Sequence, residues 1–185
     1  FHYNEKAYAK AEQAFKKAIA IAPDNIVFNL DLADLYANNL KKPEAALPYY
    51  SKATELGPKH AGAHHGKGMV LWKLKKMGEA ESSLRKAAEL SPGSPISWQA
   101  LGALLVEQNK SDAALVAFQN ALKAQAGFSP ALMGKGDAYL GLGDMKQALS
   151  AYQQASKLAP KDAMAQLKMG MAYQGLGRQS DAEAA

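Results

Sequence analysis

Small and large apolar residues return along this chain at a nearly constant step. Alanine stands at Ala11, Ala46, Ala80, Ala114, Ala148 and Ala182, the first step being 35 residues and the others 34. A second series runs Ala18, Ala53, Ala87, Ala121 and Ala155, and a large residue sits between the two: Phe15, Tyr50, Leu84, Phe118 and Tyr152. Within one period, Trp98, Leu101, Gly102 and Leu105 fall at steps of three, one and three, which is one face of a helix. Ala114, Phe118 and Ala121 then follow at steps of four and three, the face of a second helix. Turn residues separate the two halves at Asn109-Lys110-Ser111-Asp112, Gly143-Asp144 and Gly177-Arg178. Pro58, Pro92 and Pro160 close the second helix, because proline cannot continue it. No segment keeps a two-residue alternation, so the pattern predicts helix pairs and no strands.

Glycine joins the register at Gly68, Gly102, Gly136 and Gly170, inside the first helix of four successive periods. An interior glycine costs a helix about 1 kcal/mol relative to alanine, so close packing has to offset roughly 4 kcal/mol in all. The small residue admits the bulky residue of the partner helix, as Gly102 would admit Phe118. Each pair keeps one apolar face that only the next pair can cover, which makes a quasi-one-dimensional stack. The units read as 26–60, 61–94, 95–128 and 129–162, preceded by a partial unit 1–25 and followed by a partial unit 163–185.

Trp98, Leu101, Gly102, Leu105, Ala114, Phe118 and Ala121 resemble the tetratricopeptide repeat pattern, W-x2-L-G-x2-Y followed by A-x3-F and P. The resemblance covers nearly the whole chain. It implies one all-α domain over 1–185, a right-handed superhelical α-solenoid of stacked antiparallel helix pairs. Departures are local. Unit 26–60 has one extra residue near Asn38-Asn39-Leu40, and Ala33 takes its glycine place. Pro48 falls inside a second helix and should bend it. Lys67 and Lys135 replace a leucine, so those contacts are weaker or the lysine stems snorkel outward, while His64 and Gln166 replace the tryptophan.

The same resemblance implies that the first helices line a concave groove for a protein or peptide partner. The groove positions are His65, Met69, Trp72, Ile96, Gln99, Val106, Met133, Asp137, Leu140, Met164, Leu167 and Met171, and they hold four of the seven methionines. Soft methionine and aromatic surfaces suit an apolar peptide or amphipathic helix. The same residues would also serve as ordinary packing between helices; full burial of Trp72 and Met133 would favour that reading. Some relatives grip a chaperone's terminal carboxylate with lysine and asparagine. Here Leu30 and Asp34 occupy the corresponding places, with Asp31 alongside, so no such clamp is expected. A structural role is the alternative: a segment of a longer solenoid, or a homo-oligomer formed through exposed terminal repeats.

Composition narrows the classes further. The 185 residues are 48% hydrophobic and 21% charged, the balance of a globular chain, and no apolar run approaches a membrane span. Absence of cysteine excludes disulfides and thiolate-bound metals. The net charge of +5 is spread along the chain and makes no case for nucleic acid. The chain opens on Phe1, which suggests an excised fragment or a trimmed mature chain. Lys17, Lys52 and Lys86 share one register, with Lys16, Arg85, Lys123 and Lys157 nearby. They read as a solvated outer face, or as contact with an acidic partner or anionic surface.

Chemistry-bearing motifs are scarce. There is no G-x-S-x-G, H-E-x-x-H or phosphate-binding G-x-x-x-x-G-K-[ST]. Gly134-Lys135-Gly136 and Gly141-Leu142-Gly143 sit within and after a helix, not after a strand, so they read as packing and a turn. His60, His64 and His65 lack an evident carboxylate and read as surface and packing histidines. The sequence therefore predicts a non-enzyme with neither cofactor nor metal.

Overall fold

The computed structural model describes residues 2–184, with side-chain surroundings for 6–177. The chain forms two compact units, Phe1–Ser91 and Pro92–Ala185. Among the described residues the structure is all helix and turn. The first unit comprises α1 (His2–Ile21), α2 (Ile26–Asp34), α3 (Pro43–Leu56), α4 (Ala61–Lys73) and α5 (Met77–Leu90). The second comprises α6 (Pro95–Glu107), α7 (Ser111–Ala124), α8 (Ser129–Gly141), α9 (Met145–Leu158) and α10 (Ala163–Ala184). Within each unit every helix packs on the next in sequence.

The alanine and large-residue series form the buried seams. Ala46, Tyr50 and Ala53 on α3, Ala80, Leu84 and Ala87 on α5, Ala114, Phe118 and Ala121 on α7, and Ala148, Tyr152 and Ala155 on α9 are all buried. A Cβ added at Gly68 would stand 2.7 Å from Leu84 Cγ, and one at Gly102 2.7 Å from Phe118 Cε1. At Gly136 it would overlap the Tyr152 ring. The glycines therefore let each first helix close on the large residue of its partner. Ala11, Phe15 and Ala18 on α1 are half-buried; Phe15 packs on the α2–α3 core. Ala182 lies outside the residues whose side chains are described.

The turns inside the helix pairs are built alike. Lys41, Lys75, Asn109 and Gly143 adopt positive φ, 34 residues apart. Lys76, Lys110 and Asp144 then donate their backbone N–H back to Leu71, Leu105 and Tyr139, each at 2.9 Å. This pattern satisfies carbonyls that the helix end would otherwise leave open. The extra residue of 26–60 is absorbed as a π-helical turn over Leu35–Asn39 closing α2, with Leu40 N–H on the Leu35 carbonyl at 2.9 Å. Stacking of Tyr36 on Tyr49 and a 2.8 Å bond from Tyr36 hydroxyl to Glu12 tie that turn to α3 and α1.

One expected turn is not made. Gly177 stands 34 residues after Gly143, yet α10 runs unbroken through Gly177-Arg178 to Ala184. No proline follows, and the residues beyond tolerate a helix, so the i to i−4 bonds propagate. Pro48 lies in an exposed second turn of α3, where it withholds one N–H from the Glu44 carbonyl, and the helix continues past it.

The place usually held by tryptophan has a second duty. Trp98 Nε1 donates to the Pro92 carbonyl at 3.0 Å, His64 Nε2 to that of Pro58 at 3.0 Å, and Asn29 Nδ2 to that of Pro23 at 3.1 Å. Each fastens the start of a first helix to the preceding turn. Histidine and asparagine can replace tryptophan there because each keeps an N–H donor.

Candidate functional site

Each unit has a cavity bordered by its first helices. In the second unit it measures about 610 Å³. Helix α6 contributes Gln99, Ala103 and Val106, helix α8 contributes Ser129, Pro130, Met133, Gly134 and Asp137, and helix α10 contributes Met164 and Lys168. Phe118, from α7 behind, reaches the wall because Gly134 carries no side chain; a Cβ there would overlap the ring. The same place in the next repeat holds Lys168, whose ammonium lies 5.8 Å from the Tyr152 ring centroid and pairs with Asp137. Asp137 also accepts the Tyr152 hydroxyl at 2.7 Å. Burial, then that bond to a carboxylate, push the Tyr152 phenol well above its ordinary range. It is a donor at any physiological pH. The result is an apolar, methionine-flanked hollow with one compact charge pair on its wall.

The first unit has a smaller, more polar version of about 270 Å³, lined by Asp34, Asn38, Tyr50, His65, Met69 and Lys73 among others. Asp34 accepts the Tyr50 hydroxyl, whose pKa burial and then Asp34 also raise. Nδ1 of His65 is buried with no hydrogen-bond partner among the described residues, and burial holds the imidazole below its ordinary value.

Of the twelve residues expected in the groove, Gln99, Val106, Met133, Asp137 and Met164 meet around the larger cavity. His65 and Met69 meet around the smaller one. Trp72 and Met133 are both partly buried. Trp72 does not line the smaller cavity. Leu140 packs against Ala148, Tyr152 and Ala172. Ile96, Leu167 and Met171 are more than half exposed and line neither cavity. The expectation omitted Phe118, Tyr50 and Tyr152, because they belong to second helices. A signal for them was present. Where the first helix has Asp34 or Asp137 the second has tyrosine; where it has Met69 or Ala103 the second has Leu84 or Phe118.

The three neighbouring histidines do not converge. His60 caps α4 by accepting Ala63 N–H at 3.0 Å, His64 bonds the Pro58 carbonyl, and His65 faces the cavity. Among the described residues no group of three histidine, aspartate or glutamate side chains could hold a metal ion. Within that same set no helix is long and apolar enough to cross a membrane.

Family models described as tetratricopeptide repeat match residues 30–95 and 1–25, and one described as TPR repeat matches 136–177. The chain belongs to the tetratricopeptide repeat family. Members are non-catalytic scaffolds, and their repeat domains are in general protein–protein interaction modules. Solved structures agree on the all-α repeat fold. YrrB, described as a TPR protein with an unusual peptide-binding site, is 26% identical over 88% of this chain and 84% of its own, with a TM-score of 0.73. MamA is 23% identical, covering 86% of this chain and 93% of its own at a TM-score of 0.79. PilW, described as a type IV pilus biogenesis factor, is 20% identical over 95% and 81% at 0.81. No curated protein sequence matches the chain.

Proposed function

We propose that the second unit of this tetratricopeptide repeat protein holds an apolar segment of a partner protein across α6, α8 and α10. The carrying observation is the cavity of about 610 Å³ between Val106, Met133 and Met164. It is large enough for a leucine or phenylalanine side chain of the segment to enter against Phe118. Methionine on two sides adapts to the shape of the anchor. The Asp137–Lys168 pair offers one acceptor and one donor to the segment's backbone beside the anchor, and being internally neutral it selects for no net charge. The peptide-binding description of YrrB is consistent with this use of the fold.

The test is selection of peptides from a random displayed library on the full chain. Enriched sequences should carry one large apolar anchor and bind at micromolar strength. Met133→Glu and Val106→Asp should weaken them by roughly tenfold or more, while Val116→Asp, at an exposed position on α7, should not. Binders indifferent to Met133 and Val106 would remove this reading.

A second reading, self-association or incorporation into a longer solenoid, has one observation in its favour. Gly170 repeats the register of Gly68, Gly102 and Gly136, but among the described residues nothing lies within 4 Å of where its Cβ would stand. A notch of the kind that elsewhere receives Leu84, Phe118 or Tyr152 is open on α10, and a bulky residue of a further helix would fit it.

A further inference from the structure

The pair α4–α5 departs from α6–α7 where its two helices meet. In α6 that seam is closed by Trp98 and by Leu101, which is buried. In α4 the same places hold His64 and Lys67, and an open cleft of about 370 Å³ results. His64 and Lys67 line it from α4; Ser82, Ser83 and Lys86 line it from α5, together with Arg85 and Glu89.

The lining holds three permanent cations and one carboxylate. Arg85 is paired with Glu81 at 2.9 Å, and the His64 ring is fixed by its bond to the Pro58 carbonyl. Lys67 and Lys86 make no ion pair or hydrogen bond among the described residues. Lys67 and Lys86, from two helices, therefore line a shared space in which Glu89 is the one carboxylate, and neither is ion-paired with it. Two serine hydroxyls stand beside them as neutral donors. Ammonium groups act as point charges with freely turning donors, and hydroxyls rotate to suit an acceptor. A tetrahedral dianion, whose oxygens point several ways at once, uses donors arriving from both helices; a flat carboxylate uses fewer.

We propose that the α4–α5 cleft binds a phosphoryl dianion through Lys67, Lys86, Ser82 and Ser83. This site shares no residue with the apolar cavity of the second unit and does not depend on what that cavity holds. The shared chemistry is the phosphate group, carried either by a free anion or by a phosphorylated side chain.

The test is nitrogen–proton NMR titration of the full chain with orthophosphate and, separately, with N-acetyl-phosphoserine amide. Ionic strength is held constant with chloride, so that general screening stays fixed. Saturable shifts confined to residues 64–67 and 82–86 are expected with both ligands. Tighter binding of the amide marks a phosphorylated side chain as the source; equal or weaker binding marks the free anion, and either order supports the cleft. Lys67→Leu restores the residue that Leu101 supplies in α6. It should weaken binding at least tenfold while raising the melting temperature, so lost binding cannot be read as lost folding. Lys86→Gln should weaken binding several-fold without moving the melting temperature. Lys17→Gln, at the corresponding place on α1, should change neither. Unsaturable shifts spread over the lysines, or binding that survives in Lys67→Leu, would overturn the proposal.

Discussion

A methyl group added at Gly102 would meet Phe118 2.7 Å away, whereas one added at Gly170 would meet nothing within 4 Å among the described residues. The two glycines hold one place in the repeat but do different work. Gly102→Ala should destabilise the chain by about 1–3 kcal/mol through overpacking. Gly170→Ala should stabilise it by about 1 kcal/mol through helix propensity alone. Urea denaturation of the two variants reads the opposite signs directly. His65 offers a second check. Its folded-state pKa lies below the ordinary 6.5 because burial disfavours the charged ring. Above pH 6.5 both folded and unfolded imidazoles are neutral; as pH falls below it the unfolded chain takes up protons first, and stability is lost. Denaturation midpoints should therefore fall from pH 7 to pH 5, and His65→Gln should flatten that slope. An equal slope in the variant would assign the loss to other groups. At this scale the sequence was readable for small and apolar residues, whose place follows from helical periodicity. It was less readable for the hydroxyls of Tyr50 and Tyr152, since their partners Asp34 and Asp137 lie on another helix.

Helix ends show how local rules and register cooperate. The structure puts positive φ at Lys41, Lys75 and Asn109, where a Cβ opposes it, and at Gly143, where none exists. Packing of the following helix holds the three unfavourable residues in place. Lys41→Gly should thus stabilise the fold by about 0.5–1 kcal/mol, raising the melting temperature by roughly 2 °C. A fall in that temperature would show that the lysine side chain contributes more than its backbone costs. Gly177 makes the complementary point: it has the right residue at the right place, and α10 passes through it as a helix. Turn chemistry read from sequence gives a permissive site, and the tertiary contacts that would select the turn are not local. The π-helical turn at Leu35–Asn39 was legible as one surplus residue, but the form it takes was not, because a bulge, a longer loop and a wound turn all fit the same count.

At the scale of the molecule, repetition makes the fold legible and function much less so. Any apolar stripe in the register predicts a seam, and the seams are where the alanines and large residues put them. The residues expected in the groove follow no comparable rule. Ile96, Leu167 and Met171 share the period of the cavity-lining residues and yet stay in solvent. The open place at Gly170 also belongs to this scale. If a second copy fills it, light scattering should show mass rising with concentration, and Gly170→Tyr should abolish the rise by filling the notch from within. A constant monomer mass in the parent chain would set self-association aside. The claim on which the function rests is narrower, and methionine methyl NMR addresses it most directly. With a library-selected peptide added to the chain, the Met133 and Met164 methyls should shift and show contacts to the peptide's apolar anchor, while the Met145 methyl, packed against Gly175, stays unmoved. Unmoved signals from Met133 and Met164 under saturating peptide would contradict the account.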